Sequence, residues 1–324
     1  MTPKGSDLDI DQKIIRAIEH RNTLSLRELS VPGVPHRSFI RRIRRMREQR
    51  KIRRWTVLVN PISVRLSDVV FFLAKTNPRE PELLQRIQEE FVEELMGLYG
   101  ITGEFSLLGR FVYKSRQDFL EKLRDFDTLM AGTRLQQYEV LEGLDNFKEY
   151  GLPRERPGRL SPNSRKVRSA IVKMGRRTEL PPTTVDLANE TGLSQPTVSR
   201  LLRLMKDRRA ILGFSVDAEL CPTSQDEMRF FLRLKVSPGQ LVEVVSHLIS
   251  LPEVVSLYRT GHSYPLLAEI VVEGVPAYNK LLNSIYNCQT ELIDTETMLV
   301  LDQIVHRSYA DHFSPKRDIL SISP

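Results

Sequence analysis

Apolar residues at Ile10, Ile14, Ile15 and Ile18 keep helical spacing near the start of the chain, which predicts an amphipathic helix. A short second helix is expected around Ser25–Ser30, then a Pro/Gly turn at Val31-Pro-Gly-Val34 and a third helix from His36. Lys51–Val59 alternates enough to read as a strand pair. Three helices and a small hairpin are the element order of a winged helix-turn-helix. The same order returns from about Ser164. Asp186–Gly192 reads as a short helix ended by a C-cap glycine, followed by Ser194 as N-cap and Pro196 in a first turn that tolerates it. Val198, Leu201, Leu202 and Met205 then stand at i, i+3, i+4 and i+7, one buried face. That leaves Gln195, Thr197, Ser199, Arg200, Arg203 and Lys206 facing outward.

Each of these units precedes an α/β segment. The later segment reads strand (Arg229–Val236), helix (Gly239–Leu251), strand (Val254–Thr260), strand (Leu266–Val272), helix (Pro276–Cys288) and strand (Thr295–Val305). The earlier one reads Val69–Lys75, a helix from Pro81, Leu98–Thr102, Leu107–Tyr113, a helix from Ser115 and Thr133–Leu141. Both follow the βαββαβ order of a ferredoxin-like domain. The fold class is therefore α+β, a tandem repeat of winged helix-turn-helix plus βαββαβ domain. The expected boundaries are 7–61 and 68–145 for the first pair, 146–163 for a Pro/Gly linker, 164–220 and 228–308 for the second pair, and 309–324 for a polar tail. The repeat shows in the residues themselves, because Met46, Ile52 and Trp55 return as Met205, Ile211 and Phe214 at a constant offset of 159. Trp55 and Phe214 read as equivalent core anchors.

Composition narrows the functional classes. The 324 residues are 40% hydrophobic and 27% charged, ordinary for a globular chain, and the net charge of +7 favours a polyanionic partner. The longest apolar run, Val69–Ala74, is far below the ~20 residues of a membrane span, so no membrane partner is expected. The polar start (Asp7, Asp9, Asp11) and two cysteines, Cys221 and Cys288, argue against a secretory leader, a disulfide framework and a zinc site. The chain reads as cytoplasmic, with neither metal nor cofactor expected. Within His36–Arg54 ten Lys/Arg (Arg37, Arg41, Arg42, Arg44, Arg45, Arg47, Arg50, Lys51, Arg53 and Arg54) face one acid, Glu48. A solvated face would mix signs at i, i+4, so phosphate binding is the better account. Duplex DNA is the expected partner, with His36, Arg37, Ser38, Arg41, Arg44, Arg45, Arg53 and Arg54 as contacts in the first copy.

The alternation of these modules resembles the feast/famine (Lrp/AsnC) transcription regulators. Gly192-Leu-Ser-Gln-Pro-Thr-Val-Ser-Arg-Leu-Leu-Arg-Leu-Met205 is similar to the family's recognition helix. Pro252–Gly261 and Leu266–Val272 resemble its effector domain, as do Gly100–Gly103 and Leu107–Tyr113 in the first copy. The match covers about nine-tenths of the chain; a tandem pair is its departure from the family's single pair. Pro35 stands where Ser194 does, and Arg42 and Arg45 where Leu201 and Leu204 do. The resemblance implies a DNA-binding, non-enzymatic regulator. Ser194, Gln195, Thr197, Ser199, Arg200 and Arg203 would contact DNA, Gln195 suiting adenine, Arg200 guanine and the Thr197 methyl thymine. It also implies small-molecule contacts, for example with an amino acid, at two glycine loops, marked by Gly103 and Glu104 and by Gly261, His262 and Tyr264. Backbone N–H groups there could hold a carboxylate, and Glu104 would repel one, which favours the second loop.

Other classes stay open. Related βαββαβ proteins include siroheme decarboxylases with active-site histidines, but no partnering Asp or second His for His262 is evident in the sequence. RNA binding through the sheets lacks an RNP-like aromatic pair. A metabolite-sensing assembly whose first winged helix contacts protein is the remaining alternative. The apolar strands (Leu108, Phe111, Tyr113; Leu267, Ile270, Val272) must cover an open sheet face. The copies pair within one chain, or across chains as a homodimer; the homodimer is favoured, because four winged helices would then read a long symmetric site.

Overall fold

The computed structural model describes residues 5–18, 23–29, 31–64, 68–76, 82–133, 137–154, 157–158, 160–218, 227–237, 239–287, 292–307 and 309. In chain order they form α1 (Gly5–Ile18), α2 (His36–Glu48), β1 (Ile52–Val59), β2 (Asp68–Ala74), α3 (Glu82–Glu90), β3 (Leu95–Ile101), β4 (Leu107–Tyr113), α4 (Arg116–Ala131), β5 (Tyr138–Glu149), β6 (Leu152–Pro153), α5 (Pro162–Gly175), α6 (Thr184–Thr191), α7 (Gln195–Asp207), β7 (Ile211–Ala218), β8 (Glu227–Val236), α8 (Leu241–Ser250), β9 (Val254–Thr260), β10 (Leu266–Glu273), α9 (Gly274–Tyr286) and β11 (Leu292–His306). The chain divides into two compact units, and each draws on both halves. The first takes its described residues from 1–64, 156–225 and 308–324, the second from 65–155 and 226–307. Cys221, Cys288, Pro81 and residues 310–324 of the expected tail lie outside the described residues.

In the first unit the expected strand pair at Lys51–Val59 is one strand, and its partner comes from the other copy. β1 pairs antiparallel with β7, with Trp55 opposite Val216, Thr56 opposite Ser215 and Val57 opposite Phe214. These are equivalent positions under the 159-residue offset, so the pairing has a pseudo-twofold axis at Thr56 and Ser215. A lone apolar strand gains a full ladder this way that an intracopy hairpin of the same residues would not supply. The helices interlock across the pair: α5 lies against β1, and α1 against β7. The core of the first copy (Ile14, Phe39, Ile43, Met46, Trp55) accordingly takes in Val216 from the second. Arg50 and Arg209, again 159 apart, both take the left-handed conformation after α2 and α7. The Val31–Val34 turn is present, with Gly33 at φ 78°. The second helix is a single 3-10 turn, Leu26–Glu28.

The two copies approach each other closely at Gly175. A Cβ there would sit 2.0 Å from the carbonyl oxygen of Trp55. Backbone cannot yield as a side-chain tip does, so Gly175→Ala should cost about 1–3 kcal/mol through overpacking. Chemical denaturation should show the loss, and a stability equal to wild type would disprove the close approach.

The second unit holds both βαββαβ segments. Its strands hydrogen-bond in the order β2-β4-β3-β11-β8-β10-β9-β5, and β5 returns to β2, so the sheet closes on itself. Closure leaves no free edge along that ring. The copies therefore pair within one chain, through β3 with β11 and β5 with β9; the favoured homodimer is not what completes this sheet. Strand alternation sends one set of side chains to the helices and the other to the interior. Val70, Phe72, Phe111 and Tyr113 pack in the core that includes Phe119 and Phe126 of α4. Phe230, Leu232, Ile270 and Val272 do the same with Leu248 of α8 and Ile285 of α9. Leu108 and Leu267 occupy the opposite face, so the apolar residues grouped from the sequence serve both layers. On that inner side Phe71 meets Tyr258 and Phe231 meets Tyr99, each with ring centroids 5.1 Å apart.

β5 runs to Glu149, eight residues past its expected end at Leu141 and into the segment read as linker. The added length pairs with β9 and carries Lys148, whose ammonium donates to the carbonyls of Ile249 at 2.9 Å and Leu251 at 2.7 Å. It thereby caps the C-terminus of α8, where a cation is favoured.

Candidate nucleic-acid interface and effector loops

The basic helix α2 does not present its cations uniformly. Arg42 and Arg45, in place of the leucines of the second copy, each donate to Asp11 of α1 at 2.9 Å. Lys51 approaches the same carboxylate at 3.8 Å, and Asp11 is only 5% exposed. Arg47 donates to the carbonyls of Gly175, Arg176 and Thr178 at and after the end of α5, and Trp55 donates its indole N–H to the carbonyl of Glu179 at 3.1 Å. Arg54 pairs with Asp217 of β7 at 2.9 Å. Five of the ten cations thus hold the fold together, including the DNA candidates Arg45 and Arg54. Arg44 lies 3.7 Å from exposed Glu179. Arg37, Arg41 and Arg50 are exposed and make no ion pair with another described residue. His36 and Arg53 are exposed and Ser38 half-buried. Pro35 caps α2 without a side-chain hydrogen bond.

α7 is laid out as its spacing predicts. Val198, Leu201, Leu202 and Met205 are buried, while Gln195, Ser199, Arg200 and Arg203 are exposed and Thr197 and Lys206 half-buried. Arg200 and Arg203 make no ion pair among the described residues. The preceding α6 begins with a capping box between Thr183 and Asp186 and ends at Gly192 in the left-handed conformation, φ 68°. The hydrogen bonds of Thr183 hold the Asp186 carboxyl below its usual range. Ser194 sits at the N-cap, but its hydroxyl meets Thr197 Oγ1 at 2.8 Å instead of a backbone N–H. Gln195 donates to Thr184 Oγ1 at 3.3 Å.

The effector loops differ from each other. Gly103 holds φ 116°, and Glu104 is exposed, 3.9 Å from Lys75 and accepting from Gln137 at 3.4 Å. In the second loop the N–H of Gly261 already donates to the carbonyl of Glu142 at 3.1 Å. His262 has the acid partner that sequence reading missed: Nε2 lies 3.3 Å from Glu139 of β5. Its Nδ1 lies 3.0 Å from the Arg233 guanidinium and 2.9 Å from the Ser263 hydroxyl. Buried Arg233 also donates to Glu139 at 2.7 Å and Glu296 at 2.9 Å, and its guanidinium stands 4.8 Å from the centre of the Tyr264 ring. Tyr264 donates to Asp294 at 2.6 Å, a bond that raises the phenol pKa and lowers that of Asp294. Glu139, Glu296 and Asp294 thus stand about the loop against Arg233 and, beside Asp294, Lys235, so these acids outnumber the cations named with them. Arg233 was legible only as an inward charge at period two on β8; Glu139 comes from the other copy, 94 residues earlier in the chain. No cluster of three or more potential metal ligands occurs among the described residues, and no described helix is long and apolar enough to cross a membrane.

Comparison with known proteins identifies the family. A family model for the Lrp/AsnC ligand binding domain matches residues 229–310. The HTH-type transcriptional regulator FL11 of Pyrococcus abyssi is 30% identical over 120 residues, 36% of this chain and 76% of that protein. Its counterpart from Pyrococcus furiosus is 29% identical over the same shares. The crystal structure of the siroheme decarboxylase NirDL is similar over 96% of this chain and 97% of that one, with a TM-score of 0.56 at 14% identity, a likeness of fold alone. By its identity to FL11 and its ligand-binding domain, the chain belongs to the Lrp/AsnC family of transcriptional regulators.

Proposed function

We propose that this regulator binds duplex DNA through two winged helix-turn-helix modules, α1–β1 and α5–β7, and that a small amine-bearing metabolite such as an amino acid modulates it at the Gly261–Leu266 loop. The observation that carries the DNA reading is α7: a buried apolar face opposite an exposed row of Gln195, Ser199, Arg200 and Arg203, directly after a left-handed turn at Gly192. That is the layout a recognition helix needs to enter a major groove. The two modules divide labour. α2, with Arg37, Arg41 and Arg44, mainly anchors the phosphates, and α7 mainly specifies the bases. The contact of His262 with Glu139 gives the enzyme alternative one acid, but both ring nitrogens are already engaged within the protein.

A binding-site selection with variants tests this assignment. Gln195→Ala or Arg200→Ala should relax preference at particular base pairs by ~1–3 kcal/mol. Arg41→Ala and Arg44→Ala should weaken all sequences alike and reduce the salt dependence. The reverse pattern would show that the roles are exchanged.

A further inference from the structure

We propose that one chain by itself occupies a complete DNA site built of two unlike half-sites, so that the operator is not a palindrome. This rests on the duplex-DNA reading above. The first unit is a closed pseudo-dimer: β1 and β7 pair about Thr56 and Ser215. Contacts run both ways across it: from Arg47 to the carbonyls of Gly175, Arg176 and Thr178, from Arg54 to Asp217 and from the N–H of Asn60 to the carbonyl of Ala210 at 3.2 Å, and back from Arg168 to the hydroxyl of Ser63 at 3.4 Å. α2 and α7 are therefore the two reading elements of one body, and a second copy is not needed to supply either.

The two helices carry the same arginine pair at equivalent, exposed positions, Arg41 with Arg200 and Arg44 with Arg203. Their first turns differ at every outward position, His36 against Gln195, Arg37 against Pro196 and Ser38 against Thr197, and Ile40, packed on its core, stands where Ser199 is exposed. The N-terminal residues of a recognition helix are the ones that meet base edges. Glutamine suits adenine and arginine suits guanine, so the bases under the two first turns must differ while the arginine contacts recur. Two identical copies would read two identical half-sites; these copies do not.

The second unit is unlike in its halves as well. Arg110 and Glu269 are equivalent positions that carry opposite charge, and they face each other at 3.9 Å. Pairing of like copies would instead oppose arginine to arginine or glutamate to glutamate, a repulsive arrangement that disfavours it.

The test selects duplexes from a randomised pool with the full chain and weighs the complex by native mass spectrometry. The expected result is one chain per duplex and a non-palindromic consensus, with at least a tenfold loss when one half-site is inverted. His36→Ala and Gln195→Ala, both surface changes, should each alter preference in a different half. A palindromic consensus, or two chains on each minimal site, overturns the inference while leaving DNA binding intact. Retention of no duplex at all overturns both.

Discussion

Raising salt fourfold should weaken binding of this protein to duplex DNA by roughly 500-fold. The figure follows from five exposed arginines not assigned to a base: Arg37, Arg41, Arg44 and Arg50 in the first copy, where the contact of Arg44 with exposed Glu179 at 3.7 Å is screened by solvent, and Arg203 in the second. Each neutralised phosphate releases condensed counterion, which gives a log–log slope of about −4.5 for five contacts. The cations that hold Asp11, Asp217 and the carbonyls beyond α5 are left out of this number, since moving them to phosphates would cost their internal bonds. Fluorescence anisotropy between 50 and 200 mM salt, concentrations on the order of those used for such slopes, measures it. A slope near zero would remove the DNA reading. A slope near −9 would mean that the five pinned cations, Lys51 among them, let go of their partners on binding.

Arg110→Ala should destabilise the second unit by about 3–5 kcal/mol, because it breaks a buried ion network from one side. Arg110 is 3% exposed and lies 3.5 Å from Glu149 and 3.9 Å from Glu269, themselves 2% and 3% exposed. Glu149 accepts from Asn146 at 2.7 Å and from Tyr258, and Glu269 accepts from Ser256 at 3.2 Å and from Arg229. Burial pushes the Glu269 carboxyl upward, but Arg229 and Arg110 outweigh it and hold it below the ordinary range. A depressed carboxylate stabilises the fold fully above its unfolded pKa of about 4.3, and the contribution is lost as pH falls through the lower folded value. In the variant Glu149 and Glu269 lose the guanidinium they share, and Glu269 keeps Arg229 and His306, so the loss should be greatest near neutral pH and shrink on acidification, as protonation removes uncompensated negative charge. Urea unfolding at two pH values gives both numbers. A loss under 1 kcal/mol, or one that grows on acidification, would show that the network does not hold the closed sheet.

Much of the local structure was readable in advance. The 3.6-residue apolar period marked the helices of both copies, and β4 and β9 have the bounds their residues indicate. Gly192 ends α6 in the conformation that glycine permits, and Trp55 and Phe214 are both buried anchors. The candidate site was less legible. Ten cations in nineteen residues read as one phosphate-binding surface, because the sequence does not say that Asp11, carried on another helix, lies beneath two of them. Gly261 and His262 looked open to a ligand because their partners, Glu142 and Glu139, stand on a strand more than a hundred residues away.

The division follows from the range of the forces. Apolar period, capping chemistry and turn glycines act within a few residues, so the sequence by itself determined most element types and the βαββαβ order of both α/β segments. Which strand pairs with which depends on closing long loops around a shared core, a cost and a gain that local pattern does not encode. Only the tertiary structure decided that β1 takes β7, that the two α/β segments close one sheet within a single chain, and that Arg110 meets Glu269 across it.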